Sequence, residues 1–160
     1  MCIRDSLQTM IGTVDRDPAT GLQGTLNYAD PITETPHVGR PEVWEFHNTT
    51  GDAHPIHMHL VDFRILDRQP FTATQTPKTN TDGSTGAVVS DVAAAGPAVP
   101  VDAWQGGKKD TVVAYPAHIT RVLVNFTRAG EYVYHCHILS HEDHEMMRRY
   151  QVLQLTASAG

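Results

Sequence analysis

The stretch EYVYHCHILSHEDHEMM, Glu131–Met147, decides how the chain is read. Its first half, Glu131 to His137, is rich in β-branched and aromatic residues and predicts a strand. Side chains alternate between the faces of a strand, so His135 and His137 point one way and Cys136 points the other. One short strand thus offers a thiolate to one metal site and two imidazoles to another. Ser140 stands three residues before Asp143, a helix-start spacing that predicts a short helix from His141 to about Arg149. Across that turn and helix, His141 and Met146 can fold back toward the sulfur. Upstream, HPIHMH (His54–His59) places His57 and His59 on one face by the same alternation, with Met58 opposite as a packing residue. With His144, these two windows hold seven of the ten histidines.

His54, Cys136, His141 and Met146 make a His₂Cys trigonal set plus a thioether. Soft thiolate favours Cu(I), imidazole suits both oxidation states, and a weak axial Met tunes the potential, so the set points to a blue copper centre. Zinc is the competing metal. A structural zinc site takes four closed tetrahedral ligands, usually Cys-rich, and has no use for so many positioned imidazoles beside one cysteine.

Outward from these windows, EVWEFHN (Glu42–Asn48), LVDFRIL (Leu60–Leu66), DTVVAY (Asp110–Tyr115), ITRVLVNF (Ile119–Phe126) and YQVLQL (Tyr150–Leu155) read as strands, with Leu22–Tyr28 another. In the first of these, Trp44 and Phe46 cannot share a face with Val43. Thr72 to Gly107 shows no periodicity and is expected to be a long loop, either a mobile insertion or a rim of the substrate site. Many short strands and almost no helix predict an all-β, antiparallel sandwich in one domain, which 160 residues suit. The balance of 12 Lys and Arg against 18 Asp and Glu, net −6, argues against a nucleic-acid surface. No apolar run is long enough for a membrane span, and the N-terminus lacks the pattern of a secretion signal. Two cysteines rule out a disulfide scaffold.

HPIHMH and HCHILSHEDHEMM resemble the two C-terminal copper motifs of multicopper oxidases. The context EVWEFHNTTGDAHPIHMHLVDFRILDRQPF is similar to bacterial laccases of spore-coat type and to bilirubin oxidases, and the likeness runs from about Gly24 to Leu155. It implies a cupredoxin-like Greek-key β-sandwich. It implies that His54, Cys136, His141 and Met146 hold a type 1 copper, which accepts electrons from a phenolic or aromatic donor. His57 would then bind type 2 copper, and His59, His135 and His137 the binuclear type 3 pair that reduces O₂. Glu142 matches the position of an acid thought to supply protons to reduced oxygen. An extracytoplasmic location, periplasmic, secreted or in a spore coat, goes with the resemblance.

The departures matter as much. The family completes its three-copper cluster with four more histidines from two His-x-His motifs in an N-terminal domain, and this chain has no further His-x-His. Residues 7–160 therefore read as the C-terminal cupredoxin domain of a larger oxidase whose N-terminal cupredoxin domains are missing. Met1–Ser6 (MCIRDS) resembles translated sequencing-adapter sequence and is read as a non-native leader. Ser140 stands where relatives often carry an acid. His37, His47 and His118 lack spaced partners and read as structural, His144 as a surface residue, and Met147 as core. Glu142 is equally well a carboxylate favoured at a helix start. Two other functions compete with the oxidase: a non-catalytic cupredoxin shuttling electrons through one copper, which has no use for His57, His59, His135 and His137, and a zinc or copper storage module.

Overall fold

Two antiparallel sheets, each alternating buried and exposed side chains, face one another across the core. The computed structural model describes residues 10–155, so Met1–Ser6, read above as a leader and including Cys2, lies outside the described residues. The small ribbon β1 (Ile11–Thr13) and β2 (Gly24–Leu26) precedes both sheets. In the first sheet, β4 (His54–Met58) pairs on one side with β8 (Thr111–Ala114) and on the other with β10 (Gly130–Cys136), which in turn carries β11 (Met147–Val152). The second sheet runs β3 (Pro41–His47), β9 (His118–Asn125), β5 (Phe63–Thr79), β6 (Thr85–Ala94), and β7 (Val99–Pro100) also pairs with β5. The all-β, cupredoxin-like class read from the sequence is the class observed.

Ile56, Met58, Tyr134, Tyr150 and Val152 of the first sheet meet Phe63, Ile65, Val122, Val124 and Phe126 around the second. Trp44 stands edge-on to Tyr134 and Tyr150, with ring centroids 5.5 and 5.7 Å away. Burying one such side chain is worth about 1.5–3 kcal/mol, which fixes the register of both sheets against a one-residue slip. Val43 is 51% exposed while Trp44 and Phe46 pack on the core, as alternation requires. Met58 is buried, in keeping with its reading as a packing residue.

Two expectations fail. Thr72–Gly107 is not a long loop: β5 continues to Thr79, turns through 80–84 and returns as β6, leaving only shorter irregular stretches up to Gly107 and a 3-10 turn at Ala103–Gln105. The outer part of this hairpin meets the small β1–β2 ribbon largely through polar contacts, Lys78 donating to Gln23 O and Thr25 O and Ala87 N–H to Thr25 Oγ1. Its strands therefore carry Thr, Ala and Gln where a core-facing strand would show alternating large apolar residues, with Ala87 and Val89 the inward exceptions. Periodicity detects a buried face, and this arm has little of one. The second failure is the helix. α1 spans only Leu139–Asp143, its N-cap position is Ile138 with no side-chain cap, and β11 begins at Met147. Glu145 takes a left-handed φ of 72°, which ends the helical turn. After it, Met146, Arg148, Tyr150 and Val152 are buried alternately with more exposed neighbours. That period-two burial overrides helical propensity. The closing strand accordingly starts three residues before Tyr150 and ends at Val152.

Candidate metal centre

Register places the donor residues. Across β10 and β4, His135 lies opposite His57 and Cys136 opposite Ile56, so the thiol turns into the core while the imidazoles gather on the other face. Inside, the Cys136 Sγ stands 3.7 Å from His54 Nδ1 and 3.7 Å from His141 Nδ1. The three donor atoms lie within 4.8 Å of one another. Cys136 and His54 are 0% and 1% exposed. Met146 is tied to the same spot by its backbone: its N–H donates to His141 O (2.9 Å) and its carbonyl accepts from Cys136 N–H (3.0 Å). With His54, Trp44 and Tyr134 it lines a cavity of about 710 Å³.

Hydrogen bonds select which lone pairs face inward. The Thr50 hydroxyl donates to Asp52 O (2.9 Å), so its oxygen accepts from His54 Nε2–H at 2.8 Å. His54 Nδ1 is left unprotonated toward the sulfur, an orientation fixed by an outer partner as metal-binding histidines usually require. Thr50 is in turn set by Asn48, whose Oδ1 accepts from Thr50 N–H and whose amide donates to Ala114 O. The sequence reading missed Thr50 and Asn48. A hydroxyl four residues before His54, just ahead of the strand, was the available signal.

Burial, and then the neighbouring His141, lowers the His54 pKa to about 4 and keeps the ring neutral. Burial also pushes the Cys136 thiol up, so the thiolate forms when a cation arrives to compensate its charge. Sulfur and nitrogen atoms 3.7 Å apart can both lie about 2.0–2.3 Å from one cation, so these three donors would be able to share an ion. The donor set of one thiol, two imidazoles and a nearby thioether fits copper by softness.

The second group lies at the surface side of the same strands. His57, His59 and His135 bring one nitrogen each to within 4.8 Å of the others. His57 Nδ1 sits 2.9 Å from Asp110 O and His135 Nδ1 sits 3.1 Å from Cys136 O. A carbonyl only accepts, so both Nδ1 atoms carry the proton and both Nε2 atoms are free to bind a cation. His135 Nε2 is 3.4 Å from His59 Nε2. Burial, with His57 and His135 alongside, lowers the His59 pKa. His137 stands beside this group and outside its tight set, its ring centroid 5.8 Å from His57 and 5.6 Å from His135. Glu142 reaches back from α1, its Oε2 3.4 Å from His135 Nδ1. His144 is exposed, with Nδ1 against Ser140 O. His37, His47 and His118 belong to neither metal-binding group.

A family model described as multicopper oxidase matches residues 4–155. The chain belongs to the multicopper oxidase family. It is 43% identical over 128 residues to a laccase of Bacillus subtilis (strain 168), covering 79% of this chain and 23% of that one. To a laccase of Bacillus stratosphericus it is 42% identical over 149 residues, covering 91% and 27%. The chain thus spans about a quarter of the length of these curated relatives. The crystal structure of a laccase from Pediococcus acidilactici matches with a TM-score of 0.59 at 28% identity, over 81% of this chain and 23% of the other. Membership brings copper as the family's metal, in agreement with the donor chemistry above. Among the described residues no helix is long and apolar enough to cross a membrane.

Proposed function

We propose that residues 7–160 are the C-terminal copper domain of a larger, laccase-like oxidase that couples one-electron oxidation of phenolic or aromatic donors to reduction of O₂. In this reading His54, Cys136, His141 and Met146 form a complete type 1 site. His57 serves a type 2 copper, and His59, His135 and His137 serve a type 3 pair completed by domains outside this chain. Bound copper would supply one-electron exchange with the donor and with O₂. The observation that carries the reading is the back-to-back placement of two donor groups on one strand, with the Cys136 thiol on one face and the His135 and His137 imidazoles on the other.

The chain's own residues account for the rest. Cys136 is covalently joined to His135 and His137, so one peptide segment links the two groups without a gap. His54 and Cys136 are almost fully buried, which limits the access of bulk water to these two donors. Glu142 stands beside the second group with Oε2 3.4 Å from His135 Nδ1, and we assign it the delivery of protons during O₂ reduction. An extracytoplasmic location is part of the same proposal and is checked by fractionating cells that express the full-length protein. The deciding experiment is Cys136→Ser in the copper-loaded full-length oxidase. The intense blue absorption of a copper–thiolate bond should vanish while copper remains at the other sites, and survival of the blue band refutes the assignment.

A further inference from the structure

Glu145, Arg148 and Arg149, close to Met146 in the chain, grip one distant segment, Asn27–Pro31. The Tyr28 N–H donates to Glu145 Oε2 at 2.7 Å, more than a hundred residues away in the chain. Arg148, fully buried, donates from Nη1 to Asn27 O and Asp30 O and from Nη2 to Pro31 O. Arg149 donates to Tyr28 O and Asp30 O, and its guanidinium lies 5.5 Å from the Tyr28 ring centroid. The segment is itself braced: Asp30 Oδ2 accepts from Asn27 N–H, and Thr81, at the tip of the β5–β6 hairpin, donates to Asn27 Oδ1 and Asp30 Oδ1. Hairpin tip, segment 27–31 and the Met146 region therefore form one continuous polar scaffold.

Backbone strain sits at the centre of that scaffold. Glu145 holds φ 72°, a conformation that costs energy in a residue with a β-carbon and persists only where the surroundings impose it. The Met146 N–H to His141 O bond closes this left-handed turn at the end of α1, and the Glu145 carboxylate bond to Tyr28 ties the turn to segment 27–31. Losing the Tyr28 bond would leave the turn with its backbone bonds but without this tie to segment 27–31. Met146 is bonded through its N–H to His141 and through its carbonyl to Cys136, so small movements of the turn are passed to the backbone that carries the thioether beside the sulfur and imidazoles.

Building on the type 1 reading above, we propose that segment Asn27–Pro31, gripped by Glu145 and Arg148, is a clamp that sets the distance of the Met146 thioether from the Cys136 thiolate. Glu145 and Arg148 are thus positioning residues that tune the centre. An axial thioether donates electron density that favours Cu(II), so its withdrawal makes the copper a stronger oxidant.

The test is electrochemical, on the copper-loaded full-length oxidase, with copper content checked for each variant. Met146→Leu should raise the reduction potential at unchanged copper occupancy. Glu145→Ala should raise it by a smaller amount, and Glu145→Gln, whose amide oxygen still accepts from Tyr28 N–H, should restore the parent value. In a Met146→Leu background, Glu145→Ala should add nothing, because the thioether it positions is gone. If Met146→Leu shifts the potential and Glu145→Ala does not, or if Glu145→Ala shifts it equally in both backgrounds, the clamp is refuted and the site assignment stands. If Met146→Leu leaves the potential unchanged, the axial role fails and the clamp falls with it.

Discussion

The two donor groups of this chain share a strand yet differ in how they are finished. In the Cys136 group the thiol, His54 and Met146 are buried and His141 is half-buried, the His54 tautomer is fixed through Thr50, and the donors come from β4, β10, α1 and the residue before β11. The His57–His59–His135 group has free, oriented nitrogens, but among the described residues His59 and the neighbouring His137 are exposed. A single strand can thus carry one site that is largely enclosed by the fold and another that lies at the surface. Alternation alone produces the division, because the face that enters the core is sealed by folding and the opposite face is not.

The hardest blow to that contrast comes from testing the 160-residue chain alone. The closed group should hold at most about one tightly bound copper, while the open group lacks the imidazoles needed for a three-copper cluster. Oxygen uptake with a phenolic donor should be absent. Uptake that scales with the concentration of the purified chain would mean that copies complete the cluster between themselves, or that the open group is misassigned. Next in size is Glu142→Gln in the full-length oxidase, which keeps shape and hydrogen bonding but removes the titratable proton. Turnover should fall about a hundredfold, with reduction of the blue site by the donor unchanged. Stopped-flow absorbance separates the two rates, and if both stay at parent values Glu142 is only a helix-start carboxylate.

A third test sharpens the difference in burial. His54 titrates near 4 in the folded, metal-free protein and near 6.5 when unfolded, so between these values the unfolded chain binds more protons. Stability of the metal-free protein should therefore be full above about pH 6.5 and should drop by up to about 3 kcal/mol as the pH falls to 4. Urea unfolding across that range, compared with His54→Gln, reads the effect, and an equal loss in the variant assigns it elsewhere. The smallest expected change is Thr50→Val, which removes the acceptor of His54 Nε2–H. Copper retention at the closed site should weaken about tenfold in competition with a chelator, with the open group's copper unaffected.

What the sequence determined by itself was whatever depends on neighbours along the chain. The alternation in EYVYHCH separated Cys136 from His135 and His137, and the β-branched runs located the strands that carry the core. HPIHMH and HCHILSHEDHEMM also marked the family, whose model matches residues 4–155. Tertiary structure alone decided what depends on contacts between distant segments. The β5–β6 hairpin was illegible because its outer strands bury too little apolar surface to leave a period in the sequence. Helix α1 stops at Asp143 because a left-handed Glu145, bonded to Tyr28, and the burial of Met146, Arg148 and Tyr150 outweigh a local helix signal. The lone pairs of His54, His57 and His135 are aimed by a Thr50 hydroxyl and by the carbonyls of Asp110 and Cys136. A backbone carbonyl is present at every residue, so no pattern of side chains can announce which one will be used.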